Sequence, residues 1–198
     1  MQDILFVVIL IISVVFHEVA HGYTADKLGD PTARIAGRLT LNPLVHLDWF
    51  GSVILPALLI ISGAPFILGW AKPVPFNPHY FKNPRWDAVK VAVAGPLTNI
   101  GIAILAVLVL SLASMGPLGT SFLQLTVVMN VALAIFNLLP IPPLDGHHVL
   151  FALIPEQYRH IKESLRRYAF PILIAFLFIG LDIIEPVIFG ISNFLLSL

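Results

Sequence analysis

Apolar residues run almost unbroken through five stretches of the chain, roughly 3–22, 49–69, 86–114, 120–139 and 169–197, and polar residues gather between them. Runs of about 20 apolar residues predict helices that cross the hydrocarbon core of a bilayer, which is about 30 Å thick. Two stretches are interrupted, the second by Pro56, Gly63 and Pro65 and the fifth by Asp182, Glu185 and Pro186. Breakers of this kind persist in membrane segments where neighbouring groups satisfy the freed backbone. The segment 37–48 begins with strand-like alternation and then turns. The segment 69–78, Gly-Trp-Ala-Lys-Pro-Val-Pro-Phe-Asn-Pro, reads as extended, because each residue before a proline avoids the helical region.

Composition agrees with this pattern. Of 198 residues, 58% are hydrophobic and only 11% charged, whereas a soluble domain carries about a quarter charged residues. The chain reads as one integral membrane domain, 1–198. Lysine and arginine together number 11, aspartate and glutamate 11, and the basic residues form no long run. A nucleic-acid partner is not expected. There is no cysteine, which removes thiolate ligands and nucleophiles from consideration. The first stretch lacks a basic flank and a small-residue cleavage site, so it does not read as a removable signal peptide.

The basic residues also set the topology. Lys27, Arg34 and Arg38 follow the first stretch; Lys72, Lys82, Arg85 and Lys90 follow the second; Arg159, Lys162, Arg166 and Arg167 precede the fifth. Basic loops favour the cytoplasm. All eleven share one side only if 49–69 dips in and returns. The expected fold is therefore an all-α membrane protein: a three-helix transmembrane core at 3–22, 86–114 and 120–139, a re-entrant segment at 49–69 and short membrane-associated strands. The stretch 169–197 adds either one kinked crossing or a crossing plus a second short helix. The N-terminus is expected outside. A prokaryotic inner membrane is expected as the location.

The chemistry starts at residue 17. His17-Glu18-Val19-Ala20-His21 closes the first apolar run. On a helix, residues four apart share a face, so two imidazoles can meet one Zn²⁺, with Glu18 beside them as general base. Ile4 to Phe16 covers only about 20 Å of helix, so the motif is expected below the membrane surface. Ionisable residues at such depth are functional by default. Two histidines leave a catalytic zinc site one protein ligand short. Asp145 follows three prolines and precedes Gly146, and a carboxylate there can be presented from a bend at the same depth and side. It ranks ahead of His148 and His147 as third ligand. Asn137 is either a donor to the substrate oxyanion or a partner in an interhelical hydrogen bond. Asn99 reads as packing or orienting, His46 and Asp48 as structural or near the mouth of the site, and His79 and His160 as surface residues.

Three motifs taken together, His17 to His21, Gly95-Pro96-Leu97-Thr98-Asn99, and Asn137 to Pro140 continuing to Leu144-Asp145-Gly146, resemble those of the site-2 protease family of intramembrane zinc metalloproteases, peptidase family M50. Leu41 to Asp48 and Gly69 to Pro75 resemble a compact subgroup. The resemblance implies one Zn²⁺ per chain bound by His17, His21 and Asp145, Glu18 as base, and hydrolysis of peptide bonds within or near the transmembrane segments of a protein or peptide substrate in the lipid bilayer. The chain departs from many relatives in having His147 where they carry a further glycine, and in leaving no room for a PDZ domain or a CBS pair. The competing class is a catalytically silent scaffold or a metal-binding membrane protein such as a carrier. A transporter is expected to show internal repeats, and none is visible. A silent relative would usually have lost Glu18 or a ligand.

Overall fold

The computed structural model describes residues 2–63 and 69–198. The described helices are α1 (Gln2–Lys27), α2 (Thr32–Ile35), α3 (Leu55–Ile61), α4 (Pro84–Leu112), α5 (Pro117–Asn137), α6 (Gly146–Leu153), α7 (Arg159–Arg167), α8 (Ala169–Ile179) and α9 (Leu181–Leu196). Three of them, α1, α4 and α5, are long and apolar enough to cross a membrane.

Local chemistry sets the ends of these spans. At the end of α1, Gly29 adopts φ 104°, its N–H donates to the Asp26 carbonyl and the Asp30 N–H to the Ala25 carbonyl. That is a Schellman closure, for which glycine is suited. The apolar stretch stops near residue 22, but this closure carries the helix on to Lys27. At the start of α4, the Asn83 side chain accepts from the Trp86 N–H, Pro84 occupies the first turn, and Asp87 accepts from the Asn83 N–H at 2.9 Å, a reciprocal cap. Pro117 opens α5, where its missing N–H costs nothing.

Polar contacts fix the order of the bundle. His21 on α1 reaches Val91 on α4, and His17 reaches Asn99, so the two helices run antiparallel. Ser13 on α1 meets Asn130 on α5. The end of α1, the start of α4 and the end of α5 therefore share one face of the bundle. Small residues let α4 and α5 approach closely: Ala103, Ala106, Val107, Val127 and Val131 form a buried cluster, against which Ile188, Leu195 and Leu196 of α9 pack. Ile4, Phe6, Val7, Ile11 and Ile12 of α1 point outward, as apolar side chains in contact with lipid tails do.

The structure adds detail to several expectations. The stretch 169–197 is two helices that meet at Gly180 with a bend of 69°; Pro186 lies inside α9 and is not the break. The stretch 49–69 is a wide π-helical turn, Trp49–Ile54, leading into the seven-residue α3. Residues 64–68, with the breaker Pro65, lie outside the described residues. No strand is assigned among the described residues. The chain at 37–41 turns and bends. At 69–77 the backbone is irregular, and Pro73 and Pro75 remove two of the donors that a strand ladder needs.

Between α5 and α6 the chain doubles back tightly. A Cβ at Gly146 would stand 2.2 Å from the Leu138 carbonyl oxygen and 2.4 Å from that of Leu139. Nothing lies within 4 Å of a Cβ at Gly101 on α4. Gly146→Ala is expected to destabilise the protein by about 1–3 kcal/mol through overpacking. Gly101→Ala is expected to be neutral or to gain up to about 1 kcal/mol. Thermal unfolding of the two variants in detergent compares them directly, and equal melting temperatures would contradict the packing described.

Candidate metal centre

His17 and His21 project from one face of α1 toward Gly95 of α4. A Cβ on Gly95 would come within 2.5 Å of His21 Nε2 and 2.6 Å of His17 Nε2. The absent side chain is thus the space that both imidazoles occupy. Both residues are buried, with 6% and 8% of their surface exposed. The turn back from α5 brings in Asp145, whose Oδ2 lies 3.1 Å from His17 Nε2 and 3.3 Å from His21 Nε2; the two nitrogens are 2.9 Å apart.

The outer ring nitrogens decide what the inner ones can do. His17 Nδ1 lies 2.6 Å from Asn99 Oδ1, and His21 Nδ1 lies 2.7 Å from the Val91 carbonyl oxygen. Both partners are acceptors, given that the Asn99 amide nitrogen is turned to Asn130 Oδ1. Each Nδ1 therefore carries the proton, and each Nε2 presents a lone pair. The three inner atoms are acceptors facing one another, and Asp145 Oδ2 is buried without a hydrogen-bond partner. A metal ion placed among them satisfies all three at once, whereas a proton taken up by one imidazole would pair only two of them. Two donors on a tetrahedral ion with bonds of about 2.0–2.1 Å lie roughly 3.3 Å apart, close to the separations found here. Among the described residues, these three form the one group of histidine and acidic side chains able to hold a metal.

Glu18 stands beside this group. Its Oε2 accepts the Val74 N–H at 2.9 Å, a charge-assisted bond that ties the extended segment to α1. The same segment is anchored at alternate residues: the Trp70 N–H donates to the Gly51 carbonyl and the Lys72 N–H to the His46 carbonyl. Asn137 is not drawn into the three-residue group. Its Nδ2 donates to the Leu133 carbonyl, one turn back on α5, at 2.9 Å. His147 Nδ1 donates to the Leu144 carbonyl, and the rings of His147 and His148 pack 4.0 Å apart. Burial, with the charge of His147 next, pushes the His148 imidazole down to about 4, so it is neutral near pH 7. His46 is buried with Nε2 on the Thr40 carbonyl, and Asp48 caps the turn at Gly51; both serve the loop.

Sequence reasoning gave Asn99 a packing or orienting role but missed Asn130 and Ser13, which complete a polar network behind the centre. The Asn99 amide donates to Asn130 Oδ1 at 2.8 Å, and the Asn130 amide donates to Ser13 Oγ at 2.9 Å and to the Thr126 carbonyl. Ser13, Asn99 and Asn130 are at most 1% exposed. One polar residue in an apolar window of each of three helices was the available signal. Each interhelical bond of this kind contributes about 0.6 kcal/mol in a membrane, so the network's main effect is on orientation: it fixes the ring and proton of His17.

Comparison with known proteins follows the same residues. The model of peptidase family M50 matches residues 5–120 and 115–180. A protein of Bacillus subtilis named "Putative zinc metalloprotease YwhC" is 39% identical over 173 residues, covering 83% of this chain and 75% of the relative. "Putative zinc metalloprotease Rip2" of Mycolicibacterium smegmatis is 32% identical over 174 residues, 84% of this chain and 64% of its own length. "Zinc metalloprotease MJ0392" of Methanocaldococcus jannaschii is 26% identical over 157 residues, 79% of this chain and 36% of the relative. The chain thus spans three-quarters of the first of these and less than two-thirds of the other two. No solved structure matches the chain.

Removing the acceptor behind His17 is expected to loosen the metal. Asn99→Leu should weaken zinc affinity about 10–100-fold, measured by competition with a chromophoric chelator on purified protein. Asn130→Leu, one bond further away, should have a smaller effect, and unchanged affinity in Asn99→Leu would show that the network does not orient the ligand.

Proposed function

The chain belongs to peptidase family M50, and from that membership we propose that it is an intramembrane zinc metalloprotease in which His17, His21 and Asp145 hold one Zn²⁺ and Glu18 acts as general base. The observation that carries this reading is the convergence of two imidazole lone pairs and a carboxylate oxygen with no proton between them, beside a glutamate fixed by a main-chain N–H. When bound, zinc supplies Lewis-acid chemistry: it makes water acidic enough to attack near neutral pH and draws charge from the scissile carbonyl. Glu18 takes the proton from the attacking water and delivers it to the departing amide nitrogen, and Val74 keeps its carboxylate aimed. Asn137 has a second amide hydrogen beyond the one given to Leu133, and that hydrogen serves the developing oxyanion.

The protein is an integral membrane protein. We place the metal centre on the cytoplasmic side, because the loops that flank it carry the basic residues. His17 lies ten residues from the end of α1, about 15 Å of helix, so water must reach it through protein. The bond between the Trp70 N–H and the Gly51 carbonyl supports the re-entrant reading of 49–69. A helical substrate has its carbonyls engaged in its own hydrogen bonds and must unwind before attack. We assign the docking of the unwound strand to residues 70–76. Trp70, Lys72 and Val74 direct their N–H groups toward the protein. In an extended chain the alternate residues face the other way, and of these Pro73 and Pro75 have no N–H, so the free edge accepts hydrogen bonds more than it donates them.

The scaffold reading is not favoured, because Glu18 and all three candidate ligands are present together. Glu18→Gln should retain one zinc per chain by metal analysis and lose at least about 10³-fold in cleavage of a transmembrane substrate. His17→Ala should lose the metal as well. Asn137→Ala should lower kcat about 10²-fold with little change in KM. Full cleavage by Glu18→Gln would refute the proposal, and a zinc-loaded wild type that cleaves no member of a broad substrate panel would favour the scaffold.

A further inference from the structure

On the face where α1 and α5 end, a cavity of about 510 Å³ opens between the extended segment, the start of α4, α6 and α7. Its wall includes Phe76, Arg85, His148, Phe151, Lys162 and Arg166. It adjoins the metal centre on two sides. Phe76 lies two residues beyond Val74, which holds Glu18, and its ring packs 5.6 Å from that of His148, three residues beyond Asp145. A strand laid along 70–76 and continued past Phe76 leads into this cavity.

The charges in the wall are not balanced. Two acidic residues line it, and each has its own partner: Glu163 pairs with Arg159 at 3.0 Å and Glu156 with Lys162 at 2.8 Å. Arg85 and Arg166 have no carboxylate in ion-pair contact among the described residues. Arg85 donates through Nε to the Ala152 carbonyl, and Arg166 lies over the Phe151 ring at 5.0 Å. Both contacts hold a guanidinium in place without neutralising it. Both arginines are exposed to solvent, so the attraction is screened, but two cations held at one recess still draw an anion with modest strength.

Resting on the proteolytic reading above, we propose that Arg85 and Arg166 form a specificity subsite for acidic side chains of the substrate. These carboxylates lie a few residues from the scissile bond, on the side that leaves the membrane through this cavity. Arginine suits the task because its planar fork can engage a carboxylate through two parallel hydrogen bonds. The substrate class is thus a transmembrane segment followed closely by an acidic juxtamembrane stretch.

The test uses the full chain in vesicles and matched transmembrane peptides that carry Asp, Asn or Lys at those positions. The wild type should cleave the Asp peptide about fivefold more efficiently than the Asn peptide in kcat/KM. Arg166→Glu should invert that order in favour of the Lys peptide, a gain that misfolding cannot produce. Equal kcat/KM for the three peptides, or a preference that survives Arg166→Glu, overturns the subsite. If Arg166→Glu alters only the response to anionic lipid in the vesicles, the site binds headgroup phosphates and the proposal also fails. Photocrosslinking of the same peptides to Glu18→Gln reads the preference without turnover. Acidic-selective labelling supports the subsite even if no peptide is cleaved, an outcome that would count against the proteolytic reading alone, and unselective labelling rejects it.

Discussion

Two imidazole nitrogens and a carboxylate oxygen, all within 3.3 Å of one another and none carrying a proton toward the others, are mutually repulsive unless a cation lies among them. In water such groups would drift apart. Here they are held by helices that the bilayer keeps upright, and the surroundings are arranged to keep them together. Gly95 leaves the space. Asn99 and the Val91 carbonyl take the protons on the far side of each ring. Gly146 lets the chain fold back closely enough for Asp145 to arrive from another helix pair. Each is a plain device of geometry or hydrogen bonding, and together they pre-form a site before any ion enters.

The surrounding lipid explains why a network as small as Ser13, Asn99 and Asn130 matters. Unpaired polar groups in hydrocarbon cost several kcal/mol each, so once three such residues face inward they must find one another. Their bonds add little net stability. Their effect is to restrict which rotations and slides of α1, α4 and α5 are tolerated. The register of the bundle and the aim of His17 are therefore set by the same contacts.

Much of this was legible in the amino-acid order, for reasons that can be stated residue by residue. The three spans follow from apolar runs of membrane length. The pair His17 and His21 follows from helical spacing, and Asp145 from a carboxylate presented between prolines and a glycine. The polar network was not legible, because Asn99 lies 82 residues from His17 and Asn130 lies 117 from Ser13; no periodicity links positions so far apart. The helical extension of α1 past residue 22 was not legible from hydrophobicity, because a Schellman closure at Gly29 ends it. The break in 169–197 was legible as one of two alternatives, a kink or a second helix, but its place at Gly180 was not, since Pro186 is absorbed within α9. Short strands were expected from the alternation at the start of 37–48 and the extension of 69–78, but local extension does not supply a pairing partner.

The prolines at 73 and 75 have one more effect. A polypeptide edge left open near a membrane invites a like edge from a neighbouring molecule, the first step toward aggregates. When two copies of this segment come side by side, their outward positions offer mostly oxygen to oxygen, with Ala71 the one outward donor, and a ladder forms poorly. A foreign chain that still has its amide hydrogens meets less of that barrier, so the segment is more receptive to others than to itself.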